Sequence, residues 1–260
     1  MKSLLNLLAL FGIDMRRMVK SLRGIPIFLR EYRQFKKALG LSDANDFKLG
    51  RIYPCLMDRY EESGAASGHY FHQDLYVAHR VHAANPVKHV DVGSRIDGFI
   101  AHVASFREIE VCDIRPMTSQ IRNVIFLQAD LMSDLPKNLV NYTDSLSCLH
   151  TIEHFGLGRY GDPIDVDGHT KGIRQLQRMV KCGGTFYFST VIGPQRIEFN
   201  AQRVFSVPYL LRQFEDEFNL ASFSYVDDNG EFHEAVHIDM GSSSSFGCRY
   251  GCGIFEFKKI

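Results

Sequence analysis

Two histidines and a glutamate stand close together in the segment LHTIEHFGLGRYGDPID, at His150, Glu153 and His154. Histidine titrates near neutral pH, so an imidazole can take a proton from a reacting hydroxyl group. We therefore predict that His150, His154 and Glu153 form the catalytic group of an enzyme that aligns or deprotonates an acceptor. The alternative is that the histidines only fix the loop through hydrogen bonds.

The His-x-x-Glu-His spacing of this segment is also that of some zinc peptidases, where it lies on a long helix. Gly156 and Gly158 interrupt any helix in this chain, which disfavours a peptidase. A second alternative is a divalent ion bound by the same three residues, with His169 as a further ligand. Our prediction is a site without metal.

Polar residues end three apolar runs that have the composition of strands. Asp91, Gly93 and Ser94 end VKHVDVGS, Asp113 ends EIEVCD, and Asp130 ends VIFLQAD. Ligands bind at the carboxyl ends of parallel strands, and a carboxylate about 20 residues after a glycine turn suits the two hydroxyls of a ribose. These five residues predict an adenosine-containing cofactor, with Asp113 at the ribose and Asp130 near the adenine.

Strand-like and helix-like segments alternate through the second part of the chain. Further strands are predicted in DSLSCLH, TFYFSTVIG, ASFSYVD and GCGIFEFKK, and helices in HTKGIRQLQRMVKCGG and VPYLLRQFEDEF. This alternation predicts an α/β fold with a mostly parallel, doubly wound sheet. His150 then stands at the tip of the fourth strand, next to the predicted cofactor.

Four segments, VDVGSRIDG, EVCDIRP, LQADLMS and KCGGTFYFSTVIG, together resemble the successive motifs of class I S-adenosylmethionine-dependent methyltransferases. The resemblance covers roughly residues 86–260. It implies a Rossmann-like class I methyltransferase fold with S-adenosylmethionine as the cofactor. Arg95 stands where that family usually has its second motif glycine.

Three further stretches, GHYFHQDL, HTIEHFGLGRYGDPID and IEFNAQRVFS, resemble an uncharacterised family, a domain of unknown function found in bacterial surface-polysaccharide gene clusters. This resemblance implies a methyltransferase fold and a role in polysaccharide decoration. With the adenosine-site spacing, the histidine-rich loop and the arginines that follow it, we predict an O-methyltransferase acting on a sugar hydroxyl in O-antigen or capsule biosynthesis. One alternative is a non-catalytic methyltransferase-like scaffold in polysaccharide assembly, to which Arg95 points. Another is an NAD-dependent sugar oxidoreductase, which the absence of a GxGxxG pattern disfavours.

Two polar clusters follow the fourth and fifth predicted strands, on the rim where an acceptor binds. These candidate substrate-binding residues are Arg159, Asp162, Arg196, Asn200 and Arg203. Paired donors of this kind hold an anionic acceptor, such as a phosphate or a sugar acid. The alternative is that the arginines form surface ion pairs with Glu198 or Glu215.

The segment HYFHQDLYVA, just before the first strand, contains Tyr70 and Gln73. We predict a crossover segment in which these two side chains cover the methionine end of the cofactor. The alternative is a buried polar network that fixes the crossover.

Charge is unevenly distributed along the chain, although the formal net charge is zero. Residues 1–40 contain nine Lys and Arg residues against only Asp14 and Glu31. We predict a helical basic extension at 1–45, a linker and crossover segment at 46–85, and the methyltransferase-like domain at 86–260. Apolar residues recur at helical spacing in the extension: Leu4, Leu7, Leu8, Phe11, Met15, Met18 and Leu22.

This apolar stripe has three interpretations: a helix packed on the body, a basic amphipathic helix on an anionic membrane surface, or a cleaved signal peptide. No small-residue cleavage site follows it, so we expect a cytoplasmic protein. Its basic arm would contact the inner membrane face or a glycosyltransferase. The expected substrate is a glycan or sugar nucleotide, and no nucleic-acid partner is expected.

The six cysteines show no paired spacing, and Cys112 and Cys148 lie inside strand-like runs. This pattern favours free thiols in a reducing compartment over disulfides or a zinc site.

Overall fold

The computed structural model describes residues 11–41, 47–60, 64, 66–238 and 245–260. The chain divides into two compact units, Met1–Ala65 and Ala66–Ile260. Among the described residues, no helix combines the length and the apolar composition that crossing a membrane requires.

The described residues of the first unit include one long helix, α1 (Met15–Leu39). This helix continues through Pro26. Gly24 is needed for close packing: a Cβ there would lie 2.4 Å from the carbonyl oxygen of Leu56. Arg59 and Glu31 form an ion pair in the same unit. The predicted stripe residues Leu4, Leu7 and Leu8 lie outside the described residues.

The second unit is built on an eight-stranded sheet with the order β3-β2-β1-β4-β5-β10-β8-β9. Its first five strands are β1 (His89–Val92), β2 (Ile109–Asp113), β3 (Val124–Gln128), β4 (Thr143–Leu149) and β5 (Val180–Ile192), which are parallel to one another. Then come β8 (Phe218–Val226), β9 (Phe232–His233) and β10 (Gly251–Lys259). β10 lies between β5 and β8 and is antiparallel to both. The predicted Rossmann-like α/β class, with a mostly parallel sheet, is confirmed.

Helices cover both faces of the sheet. They are α2 (His69–Ala84), the short α3 (Ala101–Ala104) after a helical turn at Ile96–Ile100, α4 (Gly168–Met179) and α5 (Val207–Phe214). Pro208 lies in the first turn of α5, as predicted, where its missing N–H costs no helical bond. α4 ends at Met179, before the predicted end at Gly183, because β5 already begins at Val180. A small hairpin, β6 (Arg196–Glu198) and β7 (Gln202–Val204), completes the unit.

The part of the predicted crossover segment that contains Tyr70 and Gln73 forms helix α2. Its buried face includes Val77 and Val81, which pack on the sheet together with Phe99. Phe186 and Phe188 belong to the core on the opposite face. Tyr187, between them, belongs to the core on the side of α2. This arrangement leaves the carboxyl ends of the parallel strands open beside the start of α2.

Candidate functional site

A cavity of about 240 Å³ lies at the carboxyl ends of the parallel strands. Its lining includes Gly93 after β1, Asp113 at the end of β2, Asp130 beyond β3, and His150 after β4. Parallel strands bring their carboxyl ends to one edge of a sheet, which explains why residues far apart in sequence meet here. We call this the first cavity.

The turn after β1 is held tightly. Gly93 has φ of +73°, and a Cβ there would lie 2.3 Å from the Cγ2 atom of Thr151. Asp91 is fully buried and accepts hydrogen bonds from the N–H and hydroxyl of Ser94 and from the hydroxyl of Ser147. Burial raises the pKa of Asp91 to about 7. Asp91 and Ser94, predicted as cofactor ligands, are absent from the lining and brace the turn instead.

Asp113 and Asp130 do line the first cavity, each with partners of its own. Asp113 accepts from the backbone N–H of Arg115 and from two guanidinium nitrogens of the same residue. Asp130 accepts from the backbone N–H of Met132 and the hydroxyl of Ser133. Arg115 is a lining residue that sequence reasoning missed, although it stands two positions after the predicted ribose ligand.

Aromatic rings and guanidinium groups form another part of the wall. Arg115 and Arg159 lie over the ring of Tyr160, at 4.6 Å and 5.2 Å from its centroid. Arg95 lies 5.3 Å from the ring centroid of Tyr70. These cation–π contacts place three positive charges around the first cavity.

A second cavity, of about 510 Å³, adjoins the first. The residues that line both cavities are Tyr70, His150, His154 and Arg159. The other residues that line the second cavity include Glu153, Asp228, Asn229 and Tyr250. The two predicted catalytic histidines therefore stand between two neighbouring spaces.

His150 and Glu153 form a buried pair. The Nδ1 atom of His150 is 2.6 Å from Oε1 of Glu153, whose Oε2 accepts from the hydroxyl of Thr190. Burial alone would raise the pKa of Glu153, but its attraction to His150 and their hydrogen bond outweigh burial and lower that pKa. The carboxylate is ionised and fixes the orientation of the His150 ring.

His154 has a defined tautomer. Its Nδ1 lies 2.7 Å from the carbonyl oxygen of Ala201, which can only accept, so the proton is on Nδ1. The remaining nitrogen, Nε2, then carries a lone pair. Burial lowers the pKa of His154, which keeps the ring neutral at physiological pH. A neutral imidazole with a free Nε2 is a competent proton acceptor.

His69, the first residue of α2, stacks on His150 with a centroid separation of 5.2 Å. Burial, and next the neighbouring His150, lower the pKa of His69 to about 4. No motif spacing predicted His69 as a site residue, because it lies far from His150 along the chain.

The part of the chain that carries this site also matches a family model. Residues 99–237, more than half of the chain, match the family described as "Caenorhabditis protein of unknown function, DUF268". The chain belongs to the DUF268 family. His150, Glu153 and His154 lie within the matched range, as do Asp113 and Asp130. None of the curated proteins matches the chain.

Several solved structures are similar to this DUF268 chain at low identity. N-methyltransferase NodS from Bradyrhizobium japonicum WM9, in complex with S-adenosyl-L-homocysteine, is 11% identical, with a TM-score of 0.48 over 73% of this chain and 87% of NodS. The [4+2]-cyclase SpnF is 16% identical, with a TM-score of 0.49 over 72% of this chain and 80% of SpnF. The 1,6-didemethyltoxoflavin-N1-methyltransferase of Burkholderia thailandensis is 12% identical, with a TM-score of 0.49 over 72% of this chain and 78% of that enzyme.

The predicted acceptor residues of the DUF268 chain are not all at the cavities. Arg159 and Asp162 line the first cavity, where Asp162 also accepts from the backbone N–H groups of Gly156 and Gly158. The residues that line neither cavity are Arg196, Asn200 and Arg203. For these three the predicted acceptor contacts are not supported.

The structure gives each of these three residues another setting. Arg196 pairs with Glu198 at 2.9 Å, which is the ion pair that the sequence left as the alternative. Arg203 is buried and donates to the carbonyl oxygens of Phe155 and Val166. Asn200 lies in the turn of the β6–β7 hairpin with φ of +63°.

On helix α2, Tyr70 faces the cavities whereas Gln73 is buried in the protein interior. Tyr70 lines both cavities, as a residue that covers a ligand would. Gln73 is buried, donates to Asp74 and accepts from the hydroxyl of Ser189. For Gln73 the buried polar network, the alternative interpretation, describes the structure.

The alternative metal set of His150, Glu153, His154 and His169 does not converge on one point. His169 Nε2 is bonded to the hydroxyl of Tyr209 at 2.9 Å, and His154 is bonded to Ala201. The described cysteines are all free thiols, as predicted, and Cys112 and Cys148 are buried.

Proposed function

We propose that this DUF268 protein is an S-adenosylmethionine-dependent methyltransferase that methylates a sugar hydroxyl in surface-polysaccharide biosynthesis. The observation that carries the proposal is the pair of adjoining cavities that share His150 and His154. Group transfer between two molecules requires two binding spaces that meet at the reacting atoms. The motif resemblance to class I methyltransferases supports the choice of cofactor.

The first cavity is the proposed cofactor site. Oδ2 of Asp113 accepts only one hydrogen bond, from Arg115, so it retains capacity for a ribose hydroxyl. Asp130 is the proposed residue near the adenine. The absence of a side chain at Gly93 makes room for Thr151, which also lines this cavity.

The second cavity is the proposed acceptor site. Its lining combines polar groups, including Gln202, Asp228 and Asn229, with the rings of Tyr70 and Tyr250. Hydroxyl groups of a sugar suit such donors and acceptors, and the apolar face of a sugar ring suits the aromatic side chains. The resemblance to a family of polysaccharide gene clusters supports a glycan or sugar nucleotide as the acceptor.

When bound, the cofactor supplies an activated methyl group on a positively charged sulfur, so the protein mainly aligns the two molecules. In this proposal Nε2 of His154 takes the proton of the acceptor hydroxyl. The hydroxyl oxygen bonds the methyl carbon as the bond from that carbon to sulfur breaks, which leaves S-adenosylhomocysteine. Glu153 holds the His150 ring in place beside the reacting atoms. Arg159, at both cavities, is available for an anionic group of the acceptor.

Calorimetric titration of S-adenosylmethionine and S-adenosylhomocysteine tests the cofactor site. We expect saturable binding by the wild type, affinity lowered at least about tenfold by Asp113→Ala, and no change from the control Asp216→Ala at an exposed acid. Binding of NAD in place of both compounds would support the oxidoreductase alternative. Absence of any binding would support the non-catalytic scaffold.

Transfer of labelled methyl to a panel of nucleotide-linked, lipid-linked and polymeric glycans tests the reaction. Labelling of one class identifies the acceptor. If the protein binds the cofactor and labels no glycan of the panel, the sugar O-methylation proposal fails.

We also propose that α1 lies on the anionic cytoplasmic face of the inner membrane. Met18, Leu22, Ile25 and Leu29 recur at helical spacing and are between 39% and 57% exposed. Exposed basic residues accompany this stripe on the same helix, including Arg23, Arg30, Arg33, Lys36 and Lys37. An apolar stripe with basic flanks is complementary to an anionic lipid surface.

A further inference from the structure

Three potential metal ligands converge beside the second cavity from three separate elements. They are His69 at the start of α2, His150 after β4, and Cys252 near the start of β10. One ligand atom from each lies within 4.8 Å of the other two. His150 and Cys252 are buried, and His69 is partly buried.

The Nε2 atom of His150 is buried and has no hydrogen-bond partner among the residues that the structure describes. Its other nitrogen, Nδ1, is occupied by Glu153. Buried polar atoms without a partner are rare in folded proteins, so an unpaired imidazole nitrogen beside a thiol and a second imidazole requires an explanation. A bound cation supplies one, because it accepts the lone pair of Nε2.

The surroundings of His150 match those of a metal-bound histidine. Such a histidine usually donates its second ring nitrogen to a carboxylate, which fixes the tautomer and makes the ligand more basic. Here Glu153 takes that place at 2.6 Å and is itself held by Thr190. With Nδ1 bonded to Glu153, Nε2 is the nitrogen available to an ion, and binding releases to solvent the proton that the raised pKa of His150 places there. The main chain of His150 also has φ of +50°, a conformation that ordinary residues seldom adopt.

We propose that His69, Nε2 of His150 and Sγ of Cys252 bind a divalent ion of the zinc class. A thiolate with two imidazoles favours zinc over magnesium or calcium, which prefer oxygen ligands. Tetrahedral zinc sets its ligand atoms roughly 3.3–3.6 Å apart, so side-chain rotations of His69 and Cys252 must draw their ligand atoms toward the fixed ring of His150. On binding, the Cys252 thiol releases its proton to solvent.

Three protein ligands leave a fourth position open, which is the pattern of catalytic rather than structural zinc. His69 and His150 both line the second cavity, so that position is accessible to an acceptor hydroxyl there. As a Lewis acid the ion would lower the pKa of this hydroxyl before its proton passes to His154. This role rests on the proposed methyl transfer, whereas the binding of the ion does not.

Titration of the full-length, chelator-treated protein with Co²⁺ tests the site by absorbance. The expected result is one Co²⁺ per chain, with a thiolate-to-cobalt charge-transfer band that Zn²⁺ removes by competition. Cys252→Ser should abolish the band, while the control Cys182→Ser, at an exposed thiol, should keep it. Glu153→Gln should weaken binding by about 10–100-fold, as is typical for the partner of a metal-bound histidine.

A wild type without the band, or a Cys252→Ser variant that retains it, would overturn the proposal. If circular dichroism shows that Cys252→Ser is unfolded, His69→Ala at the partly buried ligand replaces it, and tight binding of Co²⁺ by that variant would count against the site. Metal binding without methyl transfer would leave this site standing and reject the proposed function. Methyl transfer without metal binding would leave the proposed function standing and reject this metal site.

Discussion

His154 is the residue whose protonation can be followed most directly. In the proposed reaction its Nε2 accepts a proton, so His154→Ala should lower the turnover rate by about a hundredfold or more. Cofactor affinity should change little. Because burial lowers the pKa of His154, the wild-type rate should fall with decreasing pH at a lower pH than an ordinary histidine would give. Steady-state rates across pH provide the measurement.

The exposed residue His237 provides the matched control for this substitution. His237→Ala should retain both rate and pH profile. A His154→Ala enzyme with an unchanged rate, or a rate loss explained by a lower unfolding temperature, would exclude His154 as the base.

Glu153 carries a buried charge that depends on its partners. Glu153→Ala should lower the free energy of unfolding by about 3–5 kcal/mol, because His150 and the hydroxyl of Thr190 then lose their acceptor. Glu153→Gln should cost less, since its amide oxygen still accepts a hydrogen bond. Urea denaturation of the two variants measures the difference, and equal losses would show that the charge of Glu153, rather than its role as a hydrogen-bond acceptor, stabilises the pair.

The sequence predicted the residues that line the first cavity at the ends of the parallel strands. Asp113, Asp130 and Gly93 line the cavity because strand ends in a parallel sheet converge whatever the details of packing. Arg203 and Gln73 were misassigned for the opposite reason. Their polar ends bond to groups distant in sequence, Phe155 and Ser189, which no local pattern reveals.

The turn between β1 and the following helical turn depends on the absence of a side chain at Gly93. Gly93→Ala should destabilise the protein through its positive φ and through the contact with Thr151. Gly183→Ala is the matched control, since Gly183 has φ of +75° with no atom within 4 Å of an added Cβ. The control should lose about 1–3 kcal/mol, and Gly93→Ala should exceed it by at least about 1 kcal/mol.

Thermal or urea unfolding gives both values, and cofactor titration adds a second readout. Weaker binding by Gly93→Ala alone is expected. Equal effects of the two substitutions would mean that the turn relaxes and the close contact carries no cost.

Helix α1 should bind vesicles that contain anionic lipid and release them as salt increases. The double substitution Leu22→Ser/Leu29→Ser should reduce co-sedimentation, because it removes two apolar side chains from the exposed stripe. The control Val87→Ser/Ile260→Ser also removes two exposed apolar side chains, and it should leave binding unchanged. Equal sedimentation of all three proteins would reject the membrane surface as the partner of α1.

Helix α2 shows why one element escaped prediction. Its buried face contains Gln73 and Asp74 beside Val77 and Val81, so the apolar stripe is interrupted by polar residues. Strand β5 was recognisable, because residues 184–192 are buried and form a mostly apolar run, as strands buried on both faces do.

The stability of the whole protein should depend on pH through Asp91. Its pKa is about 7 in the folded state against an ordinary 3.8, so folding favours the protonated form. The stabilisation is complete below the ordinary pKa and is lost as pH rises through about 7. Denaturant unfolding from about pH 5 to pH 8 should show wild type losing stability relative to Asp91→Asn. A constant difference between the two proteins would contradict the raised pKa.

The position of β10 has a consequence for biosynthesis. The final strand of the sheet lies in its interior, between β5 and β8, so two edges stay unpaired until Gly251–Lys259 has left the ribosome. A chain stopped before that point exposes both edges to other chains, and such edges promote aggregation. The sheet therefore cannot close until Gly251–Lys259 has been synthesised, and a stop codon ahead of this strand would yield an insoluble product.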